Sequence, residues 1–154
     1  MKGAMKRILR FRHLGDWALW VGWMALIFWF SSQPEVPGPG EKDSLIRDVF
    51  NYGAHAAIFG VLAFLGWRLT FGGAPGLPAW VRRSPHLCAG LWATLYAVSD
   101  EFHQHFVPGR TCSVWDLAVD LLGVWGALAL LALGASRHAG VRRFLLRPLE
   151  ALRR

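Results

Sequence analysis

Four apolar stretches alternate with polar segments along the chain: residues 17–30, 52–71, 86–99 and 114–135. A helix needs about 20 residues to cross the hydrocarbon layer, so the second and fourth stretches are long enough by themselves. The first approaches this length over residues 14–32, and the third does so if its helix continues through "DEFHQHF". These runs are apolar on all sides, unlike the alternating strands of a membrane barrel.

The pattern therefore predicts an all-α fold, a small polytopic membrane bundle of four transmembrane helices. Residues 1–13 form a basic N-terminal segment, residues 14–135 the membrane domain, and residues 136–154 a basic C-terminal segment. Composition agrees with this prediction, because the chain is 54% hydrophobic and carries nine tryptophans in 154 residues. Ordinary soluble domains are about 45–50% apolar.

The distribution of lysine and arginine predicts the orientation in the membrane. Fourteen of the 17 basic residues lie near the two termini or around the connection between the second and third helices. The other three are Lys42, Arg47 and Arg110. By the positive-inside rule, both termini and residues 72–85 are cytoplasmic, and residues 31–51 and 100–113 are outside. The predicted location is the bacterial cytoplasmic (inner) membrane, as a multi-pass protein.

The basic charge admits a second interpretation at the C-terminal segment "SRHAGVRRFLLRPLEALRR". It could be a nucleic-acid-binding tail, but an interfacial helix with leucines in lipid and arginines at anionic headgroups fits the sequence better. Membrane lipids are thus the expected partners, and no nucleic acid is. A short interfacial helix is also predicted in "EKDSLIRDVFN", with Asp43 or Ser44 as its cap. Nothing in the pattern specifies an oligomeric state.

Polar residues converge near the outer ends of three predicted helices. If the third helix continues past residue 99, Asp100, Glu101 and Gln104 share one face, with His105 on its edge and His103 turned away. Residues 108–109, Pro-Gly, then break the helix and place Arg110 in a tight turn. The fourth helix begins near a capping Ser113 and carries one stripe of acidic and small residues: Asp116, Asp120, Gly123 and Ala127. The second helix has a comparable face: Tyr52, His55, Phe59 and Leu62.

The segment "DEFHQHFVPGRTCSVWDLAVDLLGVWG" resembles the VanZ-like family of membrane proteins. The family signature is Asp-Glu-x-x-Gln, a Pro-Gly-Arg turn, and Asp-x-x-x-Asn or Asp followed by glycines. The matching residues are Asp100, Glu101, Gln104, Pro108, Gly109, Arg110, Asp116, Asp120, Gly123 and Gly126. His55 resembles the histidine of the family's Lys-x-x-His-x-x-x-Tyr segment, although Tyr52 and Phe59 replace its lysine and tyrosine. The resemblance covers roughly residues 20–135.

The resemblance implies a role in the cell envelope. The family is named after a protein associated with low-level resistance to teicoplanin, a glycopeptide antibiotic that acts outside the cell on peptidoglycan precursors. For this chain it implies an outward-facing polar site and a process related to the envelope or to glycopeptide tolerance. It assigns no biochemical activity.

Three kinds of role compete for the polar cluster. In a structural role, Arg110 pairs with Asp116, Asp120 or Glu101 and fastens the two last helices together. In an enzyme, Glu101 or His55 is the general base, Asp120 is the acid, and Arg110 holds a phosphate of a lipid-linked substrate. In a binding or accessory protein, the cluster recognises a lipid-linked envelope precursor without chemistry. The residues assigned to binding or to the clamp are Asp100, Gln104, His105, Arg110 and Asp116.

No cofactor is predicted, and a divalent metal is the weaker alternative. Zinc or manganese would suit a mixed set of nitrogen and oxygen ligands. The candidate ligands are Glu101, His105, His55, Asp116 and Asp120. Arg110 would repel a cation there. An independent transporter is disfavoured, because the sequence shows no inverted repeat and four short helices leave little room for an alternating-access cavity.

Overall fold

The computed structural model describes residues 2–34, 38–41, 44–74, 76–110 and 113–137, and within these ranges the side chains between residues 13 and 134. The described chain is helical, which confirms the all-α prediction. Its five helices are α1 (Lys2–Ser31), α2 (Leu45–Phe71), α3 (Ala79–Arg83), α4 (Pro85–Gln104) and α5 (Val114–Arg137). Of the segment predicted as an interfacial helix, residues 136–154, the first two end α5 and residues 138–154 lie outside the described residues.

Three helices are long and apolar enough to cross a membrane: His13–Ser31, Leu45–Phe71 and Val114–Gly134. Their outer faces carry large apolar side chains, such as Leu122 and Leu130 on α5, each 72% exposed. Such exposure suits lipid and is unfavourable in water. These helices indicate a multi-pass membrane protein. Helix α4 has 20 residues, but its last two turns contain Asp100, Glu101 and Gln104.

Helix α2 is one continuous element of 27 residues. Its first turn is capped by Ser44, whose side-chain oxygen accepts a hydrogen bond from the backbone N–H of Arg47 at 3.3 Å. This confirms one of the two predicted caps. The prediction of a separate interfacial helix in "EKDSLIRDVFN" is wrong, because the residues from Leu45 onward form the first turns of α2. No proline lies between this segment and the apolar stretch that follows it. A long helix also tolerates Gly53, at a cost of about 1 kcal/mol.

Helices α2 and α5 approach closely at Gly123. A Cβ atom on this glycine would lie 2.1 Å from the carbonyl oxygen of Ala56. One turn further along, a Cβ on Gly60 would lie 3.2 Å from the oxygen of Gly123 and 3.6 Å from Cβ of Ala127. Small residues allow such backbone contact. The predicted stripe on α5 therefore faces α2, and it brings His55, the neighbour of Ala56, against α5.

Helix α1 is attached to the other helices by polar contacts in apolar surroundings. Nε1 of Trp23 donates to the carbonyl oxygen of Ile58 at 2.9 Å, and the Tyr96 hydroxyl donates to that of Met24 at 2.7 Å. The core around these contacts consists of Ile27, Phe59, Leu62, Ala63, Trp67, Ala89, Ala93, Ala97, Val124 and Leu128. Together with the Asp16–Arg68 and Ser31–Asp100 contacts, these hydrogen bonds show that α1 runs antiparallel to α2 and parallel to α4.

An ion pair joins the middle of α1 to the last turn of α2. Nη2 of Arg68 lies 2.7 Å from Oδ1 of Asp16, and the Asp16 side chain is only 3% exposed. A buried carboxylate needs such a partner. The pair fixes α1 against α2 far from the polar cluster, which lies at the opposite end of the bundle.

Candidate functional site

A cavity of about 890 Å³ lies where α1 and α4 end and where α2 and α5 begin. Small-molecule sites typically occupy about 300–1,000 Å³. Five of the predicted site residues line the cavity: His55, Asp100, Gln104, Arg110 and Asp116. The other three predicted site residues, Glu101, His105 and Asp120, are not part of the lining. The remaining walls are mainly α2 and the end of α1.

A chain of hydrogen bonds crosses one wall of the cavity. Oγ of Ser31 donates to Oδ2 of Asp100 at 2.7 Å, and Nε2 of Gln104 donates to the same oxygen at 2.9 Å. Nη2 of Arg110 donates to Oε1 of Gln104 at 2.8 Å. Gln104 is 1% exposed and Asp100 is 5% exposed. The chain thus links α1, α4 and the turn after α4 through buried polar groups.

His55 and Asp120 form a second polar pair, between α2 and α5. Nδ1 of His55 lies 2.9 Å from Oδ1 of Asp120, whose side chain is 2% exposed. His55 is 20% exposed and lines the cavity, whereas Asp120 lies behind it. Because the carboxylate occupies the Nδ1 side of the ring, Nε2 is the ring nitrogen left for a ligand. A carboxylate in this position orients an imidazole and selects its tautomer.

The predicted ion-pair clamp of Arg110 is wrong. Among the described residues, the Arg110 guanidinium makes no ion pair with Glu101, Asp116 or Asp120, and its side chain bonds to the Gln104 amide. The reason is that two of those carboxylates have other partners. Asp120 contacts His55, and Glu101 accepts a hydrogen bond from a backbone N–H at the start of α5. Arg110 therefore lines the cavity without a neutralising carboxylate.

Glu101 stabilises the start of α5 and does not line the cavity. Its Oε1 accepts from the backbone N–H of Ser113, and Oγ of Ser113 accepts from the backbone N–H of Asp116 at 3.4 Å. These bonds satisfy N–H groups that have no partner within the helix. The predicted cap at Ser113 is confirmed. Glu101 is 5% exposed, and in this geometry its carboxylate holds the start of α5 against α4.

The two histidines at the end of α4 lie outside the cavity lining. His105 is exposed, and its ring lies edge-on to Phe106 with the centroids 5.3 Å apart. The structure therefore does not bring His105 into the site. His103 also lies outside the lining, but its ring stacks on Phe28 of α1 with the centroids 4.5 Å apart. It is a packing residue between α1 and α4.

The proposed metal set is not assembled. Among the residues that the structure describes, no group of three or more His, Cys, Asp or Glu side chains is arranged to hold a metal ion. His105 points away, Glu101 bonds to the start of α5, and Asp120 bonds to His55. The geometry favours hydrogen bonding and charge recognition at this site.

Sequence reasoning missed several residues of the lining, among them Ser31 and Arg47. Ser31, at the end of α1, is 5% exposed and bonds to Asp100. Arg47 lines the cavity, and its Nη1 donates to the carbonyl oxygen of Gly38. Arg47 carried a signal, because it is one of only three basic residues in the predicted outer segments. Ser31 carried none, since a serine at the end of an apolar stretch usually marks the boundary of a helix.

Comparison with known proteins agrees with the motif. Residues 17–134 match the VanZ/LLP1 family. The match covers more than half of the chain, and it includes both the Asp-Glu-x-x-Gln segment and His55. No curated protein and no solved structure matches the chain. The geometry of the site therefore carries the functional argument beyond the family assignment.

Proposed function

We propose that this chain, which belongs to the VanZ/LLP1 family, binds a phosphate-bearing amphiphile of the cell envelope in the cavity at the outer ends of its helices. The observation that carries the proposal is Arg110, a guanidinium that lines the cavity and forms no ion pair with a carboxylate of the described residues. Guanidinium is well suited to phosphate, because its planar fork matches two phosphate oxygens. A role in envelope processes, including glycopeptide tolerance, would follow from such binding.

The proposed topology has four spans with both termini in the cytoplasm. Helix α4 would be the fourth span, because it packs against the three apolar helices and follows α1 from the Trp20–Trp92 contact to the Ser31–Asp100 contact. The Tyr96–Met24 hydrogen bond and the Ser31–Asp100 hydrogen bond mark two levels of this contact. The positive-inside rule then puts the cavity outside. The protein would lie in the cytoplasmic membrane of a bacterium, where envelope precursors are exposed on the outer face.

The cavity walls favour an amphiphile over a small soluble anion. Apolar side chains line it beside the polar groups: Ile27, Phe30, Phe50, Ile58 and Phe59. Phe30 and Phe50 are also 36% and 45% exposed, so the apolar wall continues to the outer surface of the bundle. A lipid could place its phosphate near Arg110 while its chains remain against these aromatic rings and the membrane.

Binding and turnover can be separated with purified protein in lipid nanodiscs. We expect a radiolabelled polyprenyl phosphate or polyprenyl pyrophosphate to bind saturably and to be displaced by unlabelled ligand. Binding without product supports a recognition or accessory protein. Release of inorganic phosphate supports an enzyme. The absence of saturable binding for every phosphate-bearing lipid tested would contradict the proposal.

An enzyme acting on a lipid-linked phosphate is the second candidate, and the His55–Asp120 pair favours it. Nε2 of His55 would take a proton from water while the water oxygen attacks phosphorus. The bond from phosphorus to the leaving oxygen would break, and solvent would protonate that oxygen. Asp120 would orient the ring, a role that contributes to general-base catalysis worth about 10²–10⁴ in rate. If phosphate is released, His55→Ala should remove turnover while preserving ligand binding.

A further inference from the structure

We infer that Asp100 forms a subsite for the primary ammonium group of the ligand, so that the cavity recognises a zwitterionic amphiphile with a phosphate near Arg110 and an ammonium near Asp100. The phosphate end of this inference rests on the proposed function. The ammonium end rests on separate observations at Asp100. Together they define the ligand class as an aminophospholipid or a molecule with the same headgroup chemistry.

Asp100 has an acceptor that the described protein does not satisfy. The residue lines the cavity and is 5% exposed. Its Oδ2 accepts from both Ser31 and Gln104. Its Oδ1 is buried and has no hydrogen-bond partner among the described residues. A buried acceptor without a partner destabilises the protein, and more so when it is charged. A ligand donor that enters the cavity and displaces the atoms covering Oδ1 would recover the lost free energy.

The surrounding network leaves Oδ1 as the available oxygen. The Gln104 amide has one orientation, because its oxygen accepts from Arg110 and its NH₂ group donates to Oδ2 of Asp100. The same side chain therefore holds both the guanidinium and the carboxylate. Only one glutamine separates the two charged groups, so a single small headgroup can contact both.

The cavity carries charges of both signs, which also favours a zwitterion. Two arginines line it, Arg47 and Arg110, together with three carboxylates, Asp48, Asp100 and Asp116. A purely anionic ligand would bring its charge close to these carboxylates. A ligand with one phosphate and one ammonium can place each charge near a group of opposite sign. Charge complementarity of this kind contributes to specificity more than to raw affinity.

The number of N–H donors on the headgroup provides a direct test. Phosphatidylethanolamine and phosphatidylcholine have the same net charge and the same phosphate, but only ethanolamine has N–H donors. A hydrogen bond to a charged group contributes about 1.5–3 kcal/mol, which corresponds to roughly tenfold or more in affinity. We expect wild-type protein to bind phosphatidylethanolamine about tenfold more tightly than phosphatidylcholine of matched chains, with the mono- and dimethylated lipids between them.

Native mass spectrometry of protein released from detergent can measure these affinities by titration with each lipid. Asp100→Asn should reduce binding of phosphatidylethanolamine to the level of phosphatidylcholine and leave the latter unchanged. Glu41→Gln is the control, because Glu41 is an exposed carboxylate that does not line the cavity. It should preserve the preference. Loss of the preference in Asp48→Asn, which changes another carboxylate of the lining, and not in Asp100→Asn would place the ammonium at Asp48 and overturn the inference.

The comparison of lipids in wild-type protein needs no variant, so it decides the question even if Asp100→Asn does not fold. Equal affinity for phosphatidylethanolamine and phosphatidylcholine would overturn the ammonium subsite while leaving phosphate binding intact. No saturable binding of either lipid or of polyprenyl phosphate would instead overturn the proposed function. Glycerophosphoethanolamine, which lacks the chains, should compete weakly. Equal competition by this soluble molecule would contradict the requirement for an amphiphile.

Discussion

Nδ1 of His55 lies 2.9 Å from Oδ1 of Asp120, and this contact joins α2 to α5 at the wall of the cavity. Gly123, less than one turn after Asp120, allows the backbones to approach closely enough for the contact to form. One sequence feature, a stripe of acidic and small residues on α5, therefore determines both the helix packing and the orientation of an imidazole that lines the cavity.

The coupling between these two side chains can be measured directly. Polar contacts between membrane helices contribute about 0.6–2 kcal/mol. We expect a double-mutant cycle of His55→Ala and Asp120→Ala to give a coupling free energy of roughly 1 kcal/mol, from reversible unfolding in mixed micelles. A cycle of His103→Ala with Asp120→Ala is the control and should give none, since His103 packs on Phe28. Additive effects of the first pair would show that the contact does not stabilise the fold.

Two glycines of α5 should respond differently to the same substitution. Gly123→Ala would place Cβ 2.1 Å from the carbonyl oxygen of Ala56, and backbone must then move. Gly126→Ala meets no atom within 4 Å. We expect Gly123→Ala to lower the midpoint of thermal unfolding and to weaken ligand binding, because α2 must move and it forms much of the cavity wall. Gly126→Ala should resemble wild type in both assays. Equal tolerance of the two substitutions would contradict the close contact of α2 and α5.

Glu101→Gln should affect stability more than ligand binding. The substitution weakens the hydrogen bond that the carboxylate accepts from the backbone of Ser113, and loss of a helix cap typically costs about 1 kcal/mol. Thermal unfolding in detergent should show this loss, whereas ligand affinity should stay near the wild-type value because Glu101 does not line the cavity. His105→Ala, at an exposed position, should change neither. A large loss of ligand affinity without a loss of stability would contradict this prediction and would show that Glu101 takes part in ligand binding.

The membrane orientation can be tested with single cysteines in a Cys88→Ala, Cys112→Ser background. Glu41 and Arg83 are both exposed and lie in connections at opposite ends of the bundle. A membrane-impermeant thiol reagent should label Glu41→Cys in intact cells and Arg83→Cys only after the membrane is opened. The reverse pattern would contradict the positive-inside assignment. Ser31 is unsuitable for this test, because it is buried against Asp100.

Helical periodicity predicted which residues share a face of a helix. The structure agrees with this prediction for α4. Asp100, Glu101 and Gln104 are all buried, and Phe102 between them is 66% exposed. The capping position of Ser113 was also predictable, because a cap depends on local sequence. These features need no knowledge of how the helices rotate against one another.

Partner choice was not predictable, because it depends on that rotation and on which acceptors are already occupied. Arg110 was expected to bond a carboxylate, but His55 and the start of α5 occupy two of the three candidates. The role of Ser31 could not be predicted for the same reason, since its hydrogen-bond partner Asp100 lies 69 residues away in the sequence. Periodicity indicates that charged groups meet at one end of a bundle, and the structure decides which of them pair.

The most direct test of the account is the affinity of Arg110 variants for polyprenyl phosphate in nanodiscs. Charge-assisted hydrogen bonds to phosphate contribute about 1.5–3 kcal/mol, so Arg110→Gln should weaken binding roughly tenfold or more. Arg110→Lys should restore part of the loss, because an ammonium keeps the charge but not the two-pronged contact. Arg83→Gln, at the opposite end of the bundle, should bind like wild type. Unchanged affinity in a folded Arg110→Gln protein would contradict phosphate recognition in this cavity.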